Sequence, residues 1–277
     1  MITSNSNSRI KNVSALIANK KDRTKQGLFV VEGVKLFLEA EPSLIKEVYV
    51  SESFSEKLAS SVEASSDSNV NKASEKLELL ISQGKIAEGN SYDIVADSVF
   101  KKMSDTVTPQ GIITVLEDKK LSVADFSDTN GKSTVLVLEG LQDPGNIGTI
   151  IRTAEAAGVS FILADKNTVD NHSSKVIRST MGSIFRVPVI YTDNLNGEIN
   201  KLKEKGFSVY AAHLKGDKTY REIEYSGKSI ILIGNEGNGL SDEISELADV
   251  LVKIPMKGRV ESLNAAVAAA LMMFECQ

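Results

Sequence analysis

Five short apolar runs in the second half of the chain constrain its fold more than any other feature. They are Thr134–Leu138, Val159–Leu163, Phe207–Ala211, Ser229–Ile233 and Val250–Ile254. Each has the length of a strand, and most carry Val, Ile and Leu at successive positions rather than at every second one. Such strands need cover on both faces, which is the habit of parallel sheets. Between and after them lie helical segments: residues 146–157, 174–181, 195–205 and 262–275. Gly158 and Gly206 stop two of these. Phe185–Ile190 reads as extended. Buried strands alternating with helices predict an α/β domain with a mostly parallel sheet covered on both faces.

The first part of the chain is shorter in its rhythm. Leu28–Gly33 is a strand ending at a turn, and Val34–Ala40 is a helix with Val34, Phe37 and Leu38 on one side. Val48–Val50 and Gly111–Leu116 read as strands. Ser60–Ser74 is polar and poor in large apolar residues, and its first part reads as a mobile surface insertion. A charged helix, Glu75–Ser82, follows. Residues 1–117 therefore form a smaller α/β domain, 118–132 a polar linker, and 133–277 the parallel-sheet domain.

Composition is that of an ordinary globular protein, with 42% hydrophobic and 25% charged residues. No apolar run has the length of a membrane span. Met1–Ser8 is polar and lacks the apolar core of a secretory signal, although the Ser-rich and then basic start leaves a short organelle-targeting role open. The expected location is the cytoplasm. Cys276 is the single cysteine, and His172 and His213 lie far apart in sequence, so no metal site is expected. The net charge of −5 argues against a polyanionic partner. Yet within the first 30 residues Arg9, Lys11, Lys20, Lys21, Arg23 and Lys25 face only Asp22. That stretch is either a solvated helix face or a track for a phosphate backbone.

Three blocks hold the residues suited to chemistry. Glu139–Gly148 contains the Asp143-Pro144-Gly145-Asn146 turn and runs on to Arg152; Ile233–Ser241 contains Gly234-Asn235-Glu236-Gly237-Asn238-Gly239; Ile254-Pro255-Met256 is followed by Glu261-Ser262-Leu263-Asn264. Two follow buried strands, where α/β proteins bind ligands. Read singly, each is ambiguous. Asn146 can cap a helix, and Arg152 can pair with Glu155 on the same helix. The glycine loop is a tight turn or a ligand loop, and its spacing fits neither a dinucleotide fingerprint nor a phosphate loop. Ser262 and Asn264 can serve as caps. The last helix is apolar all round, so it lies inside the monomer or in a subunit interface.

Taken together and in this order, the three blocks resemble the SpoU/TrmH branch of the SPOUT RNA methyltransferases. The likeness spans residues 134–275 and includes Lys175–Pro188. The N-terminal part is similar to the L30e-like substrate-binding domain of many members, through Ile10-Lys11, Lys20–Arg23, Phe29–Gly33 and Thr108–Gly111. The resemblance implies a parallel sheet whose C-terminal portion forms a trefoil knot, a homodimer built on the knotted domain and last helix, and S-adenosylmethionine as cofactor. It implies a cofactor pocket at Leu214, Lys215, Gly216, Gly234, Ile254, Met256 and Leu263. It turns Arg9, Lys11, Lys20, Lys21, Arg23 and Lys25 into expected RNA contacts. No membrane or metal partner is implied.

The reaction implied is transfer of a methyl group to a ribose 2′-hydroxyl of RNA, ribosomal RNA being favoured over transfer RNA. The residues expected to carry it are Arg152, Asn146, Glu236, Asn264 and Ser262. A guanidinium is a poor base at neutral pH, so Arg152 is expected to hold a phosphate and the attacking oxygen. Asn146 would orient the ribose or Arg152, and Glu236 and Asn264 would hold the pocket. The sequence departs from the family at Ala266 and Ala270, where Ser and Gly are common, and at Thr180, where Ser is. Two other readings stay open: a catalytically silent RNA-binding protein on this fold, and a nucleotide-dependent oxidoreductase on an ordinary doubly wound sheet.

Overall fold

The computed structural model describes residues 1–64, 68–83, 92–126 and 131–277. The chain divides into two compact units. One comprises Met1–Lys119 with His172–Ile177, the other Lys120–Asn171 with Arg178–Gln277.

The first unit is a four-stranded sheet with helices on both faces. Its elements are α1 (Ser8–Ala18), α2 (Lys20–Gln26), β1 (Leu28–Glu32), α3 (Val34–Glu39), β2 (Ile45–Ser51), α4 (Glu52–Ala64), α5 (Ser68–Ser82), β3 (Asp93–Val95), α6 (Asp97–Met103) and β4 (Ile112–Glu117). The strand order is β1-β4-β2-β3. The period of two along β4 sorts its side chains. Ile113 and Val115 join Ile10, Val13 and Leu16 of α1 and Val99, Phe100 and Met103 of α6. Ile112 and Leu116 are buried as well. Each such fully buried Leu or Ile stabilises the fold by roughly 1.5–3 kcal/mol. Lys76 on α5 ties that helix to α3. Its Nζ donates to the carbonyls of Phe37, Leu38 and Ala40, at 2.7, 3.0 and 2.5 Å, where α3 ends and its carbonyls lack partners.

The expected insertion at Ser60–Ser74 is corrected here. Helix α4 runs to Ala64 and α5 begins at Ser68, with 65–67 outside the described residues. The signal was present: Val70, Ala73, Leu77 and Leu80 form a buried helical stripe, diluted by the Ser and Asn residues between them.

The second unit is a seven-stranded sheet, parallel in every pairing, in the order β7-β6-β5-β10-β8-β11-β9. Its elements are β5 (Ser133–Leu138), α7 (Pro144–Ala156), β6 (Phe161–Asp165), α8 (Ser174–Thr180), β7 (Val189–Thr192), α9 (Leu195–Glu204), β8 (Ser208–Ala212), β9 (Lys218–Thr219), β10 (Lys228–Ile233), α10 (Asp242–Ser245), β11 (Val250–Lys253) and α11 (Ala265–Glu275). Helix α8 straddles the division between the units. One core gathers Val135, Val137, Phe161, Leu163, Ile230 and Leu232 of the strands with Ile199 and Leu202 of α9. Helix α11 packs on α7 and β10. Ala265, Ala266 and Ala269 on its buried side allow that close approach.

Three boundaries differ from expectation, each for a local reason. Helix α7 starts two residues before Asn146, because Asp143 caps it and Pro144 fits the first turn. Helix α11 starts at Ala265 rather than Ser262, because Asn264 caps it. Residues 183–185 form a 3-10 turn, so β7 begins only at Val189. Within the expected linker, residues 127–130 lie outside the described residues. Its Val123 is buried in the core of the second unit.

Candidate active site

Parallel strands end on one edge of a sheet, so the turns after β5, β10, β8 and β11, neighbours in the sheet order, emerge together. These turns hold the three blocks and the 213–217 segment.

A continuous chain of side-chain hydrogen bonds joins the blocks. Asn264 Nδ2 donates to Asn146 Oδ1 at 2.8 Å, and Asn146 Nδ2 donates to Glu236 Oε1 at 2.9 Å. Glu236 also accepts the backbone amides of Gln142 and Asp143, both at 3.2 Å. At the other end Asn264 Oδ1 accepts the amides of Ala266 and Val267 at 2.9 and 3.4 Å. Asn146 is 9% exposed, so both its amide atoms need partners and both have them. Burial pushes the Glu236 carboxyl up. The hydrogen bonds from Asn146 and from backbone amides outweigh that and hold its pKa below the ordinary value.

Asn146 is therefore not the cap of α7. Asp143 Oδ1 takes that role by accepting the Asn146 amide at 2.8 Å, which leaves the Asn146 side chain for Glu236 and Asn264. Arg152 also departs from the bland expectation. Glu155 pairs with Arg186, leaving Arg152 exposed with no side-chain hydrogen bond or ion pair among the described residues. An unengaged guanidinium in an acidic protein is available to an anionic ligand. Ser262 is exposed and is not part of the chain; its hydroxyl makes no hydrogen bond among the described residues.

The expected cofactor residues sit on the same set of turns. Gly216 is buried against β11: a Cβ there would lie 2.7 Å from the Lys253 nitrogen and 2.8 Å from the Leu251 oxygen. Gly234 is tighter still, with Gly239 and Leu240 backbone atoms 2.2 Å from where a Cβ would be. Leu214 is 61% exposed, Lys215 is exposed, and Ile254, Met256 and Leu263 are half-buried. Partly exposed apolar side chains beside backbone polar groups suit an adenine, and an ionised Glu236 suits a cationic ligand. The residues present thus fit an adenosyl sulfonium. A separate cleft of about 400 Å³ between the 121–124 segment, β7 and α9 lies at the far edge of the sheet and contains none of these residues.

The basic N-terminal stretch divides. Lys11, Lys20, Lys21 and Lys25 are exposed. Arg9 is half-exposed and pairs with Asp93 at 2.6 Å. Arg23 does not fit the RNA contact expected of it: it is 6% exposed and donates to the carbonyls of Leu16 and Ile17 at 2.6 and 3.1 Å. It ties the end of α1 to α2.

Sequence reasoning missed the residues that brace the turns. Asn235 Nδ2 donates to the Gly140 carbonyl at 2.6 Å, and Glu139 accepts from the Ser241 amide and hydroxyl at 2.8 and 2.7 Å. Asp165 Oδ1 accepts from the Gly140 amide, the Thr168 amide and the Thr168 hydroxyl. Asn235 and Glu139 stood inside the motif blocks. Asp165 carried no signal in sequence, since only the β5–β6 pairing brings it to Gly140.

A fully parallel sheet that brings an asparagine–glutamate chain and an exposed arginine to one edge defines an α/β protein with a polar site at its strand ends. Residues 133–274 match the SpoU rRNA Methylase family and residues 7–114 the MRM3-like substrate binding domain. The chain belongs to the SpoU rRNA methylase family. It is 32% identical to the 23S rRNA (guanosine(2553)-2′-O)-methyltransferase RlmP of Bacillus subtilis (strain 168), over 99% of this chain and 97% of that protein. It is 43% identical to a putative TrmH family tRNA/rRNA methyltransferase of Staphylococcus aureus (strain MSSA476), over 53% of this chain and 60% of that one. The AdoMet-bound rRNA methyltransferase from Sinorhizobium meliloti superposes with a TM-score of 0.81 at 29% identity, covering 99% and 96% of the two chains.

Proposed function

We propose that this protein methylates a ribose 2′-hydroxyl of ribosomal RNA, with S-adenosylmethionine as methyl donor. The observation that carries the reading is the Glu236–Asn146–Asn264 chain, which unites the three family blocks beside a helix bearing an unengaged Arg152. The relatives named above, an rRNA 2′-O-methyltransferase and an AdoMet-bound rRNA methyltransferase, support the same reaction and favour rRNA over tRNA.

The donor brings a methyl group already activated on a sulfonium. The ribose 2′-oxygen would take that methyl group as its bond to sulfur breaks, the neutral thioether would leave, and the hydroxyl proton would pass to water. The protein's share is to position the two substrates for this. Arg152 holds a phosphate and the attacking oxygen, and stabilises the alkoxide charge as it develops. Asn146, locked by its two partners, fixes the floor of the site. Glu236 and Asn264 hold Asn146, and the exposed Ser262 supports the pocket or the substrate. Leu214, Lys215, Gly216, Gly234, Ile254, Met256 and Leu263 form the adenosyl pocket, largely through backbone groups. Lys11, Lys20, Lys21 and Lys25, with Arg9, hold RNA on the substrate-binding domain. That domain we take as residues 1–117, with 118–132 as linker and 133–277 as catalytic domain, a division supported by the two family matches. A cytoplasmic location accompanies the reading; among the described residues no helix is long and apolar enough to cross a membrane.

Two finer features belong to the same proposal. The C-terminal portion is threaded as a trefoil knot. In support, the chain leaves β11 near one edge of the sheet and returns to place α11 on α7 and β10, with Cys276 beside Thr134 of β5. Stretching the protein from both ends should leave a length shorter than the full contour. The second feature is a homodimer through α11, whose Val267 and Phe274 are 47% and 52% exposed in the single chain. Light scattering should show Phe274→Glu as a monomer where the wild type is a dimer.

The central test is transfer of labelled methyl from S-adenosylmethionine to total RNA that lacks the modification, followed by nucleoside analysis. A 2′-O-methylated nucleoside in rRNA that vanishes with Arg152→Ala supports the reading. Label in tRNA moves the substrate, label on a base overturns the acceptor, and RNA binding without transfer favours a silent binding protein.

A further inference from the structure

We infer that the catalytic unit carries its own RNA backbone track, on two adjoining segments at the β11–β9 edge of its sheet. This rests on the methyltransferase reading above and adds a surface to it. The segments are 213–221 and 253–262. They hold six cations, Lys215, Lys218, Arg221, Lys253, Lys257 and Arg259, against two acids, Asp217 and Glu261, in a protein whose net charge is −5.

The structure brings the segments side by side. The His213 amide donates to the Val252 carbonyl at 2.9 Å and the Tyr220 amide to the Lys253 carbonyl at 3.1 Å. Strand β9 pairs with β11 through Lys218 with Val252 and Thr219 with Lys253. Gly216, lacking a side chain, lets the first segment lie on the backbone of residues 251–253. All six cations are exposed. None forms an ion pair within 4 Å among the described residues, although other cations of the unit do: Lys166 with Asp193, Lys201 with Glu198, Lys203 with Asp249 and Arg186 with Glu155. Glu222, just past the first segment, feels Lys218 but is held by the Thr219 amide and hydroxyl. Arg221 lies over the Tyr220 ring at 5.3 Å.

A phosphate chain is the occupant that fits. An acidic protein repels RNA at long range, so affinity must come from local patches. These cations outnumber the acids of their segments six to two and follow two segments rather than one helix face. They flank Leu214, Gly216, Ile254 and Met256, the residues proposed to hold the methyl donor. The acceptor ribose must come to that edge, and its neighbouring phosphates come with it. The substrate-binding domain then captures the RNA, and this edge holds the backbone next to the reacting nucleotide.

The test uses the full chain with Lys253, Lys257 and Arg259 all changed to Gln. The RNA KM is measured across a salt series, with S-adenosylmethionine affinity measured separately by titration. A charge-matched control carries Lys132→Gln, Lys166→Gln and Lys201→Gln, all exposed on the same unit. The track predicts an RNA KM at least about tenfold higher at moderate salt in the first variant. The slope of log KM against log salt should be shallower by roughly two, from about 0.7 for each lost contact to a single strand. Donor affinity and the control variant should match wild type. The double variant Lys257→Gln/Arg259→Gln, which leaves β11 unchanged, should show about two thirds of the slope change. An unchanged KM and slope in the variants, with wild type active, overturns the inference alone. A loss of donor affinity in step with KM overturns it too, since the segments would then act on the cofactor. Absence of methyl transfer by wild type instead removes the reading on which it rests.

Discussion

Arg152 and Asn146 show two ways in which a polar side chain becomes useful. Among the described residues Arg152 makes no side-chain hydrogen bond or ion pair, so it keeps its full capacity for a phosphate or an oxyanion. Arg152→Lys places a point charge where a planar fork is needed. We expect kcat to fall about 100-fold in both Arg152→Lys and Arg152→Ala, with S-adenosylmethionine affinity unchanged by titration. Asn146 is the opposite case, with both amide atoms engaged. A double-mutant cycle of Asn146→Ala and Asn264→Ala should give a coupling of about 1 kcal/mol in unfolding free energy. Glu236 adds a pH signature. Its pKa lies below the ordinary carboxylate value, so its stabilisation is complete above about pH 4.3 and is lost as pH falls through the folded value. The stability gap between wild type and Glu236→Gln should shrink from pH 7 to pH 3 in thermal scans; a constant gap would remove the link to ionisation. The identities of these residues were readable as motifs. Their partners were not, because positions 90 and 118 residues apart meet only through sheet order.

At the scale of elements, turns and caps decide where the chemistry sits. The 234–240 turn folds back so tightly that no Cβ fits at Gly234, its neighbours being backbone and unable to swing aside. Gly234→Ala should cost about 1–3 kcal/mol by denaturant titration and weaken donor binding in parallel. In the first unit the Lys76 ammonium closes the end of α3, and Lys76→Met leaves three carbonyls without it. A loss of about 1–3 kcal/mol, read as a lower urea midpoint, is expected. Elements with a dense apolar pattern, such as β5, β10 and α9, were legible almost to the residue. Helix α5 was legible only in its charged second half, since Ser and Asn mask its stripe. The two-residue β9 has too few side chains to carry any pattern.

At the scale of the whole molecule, charge and topology matter more than any contact. A net charge of −5 conceals exposed lysines at the N-terminal end and the cation-rich edge beside β11. Binding to RNA should therefore weaken steeply with salt, even though the protein as a whole is acidic. Strand order is the part of the fold that strand and helix patterns leave open. Chain order runs from β5 to β11, yet β10 lies between β5 and β8. Periodicity reports which residues are buried, not which strand lies beside which.

The asparagine–glutamate chain has a consequence in time as well as in space. Each of its links closes a long loop, so no early local structure can assemble it. Helices can form on dilution from denaturant while the links are still open. Methyl transfer should then return only with the slowest refolding phase, after far-ultraviolet ellipticity has recovered. The active site would report, as a clock, the moment at which the last segment finds its place.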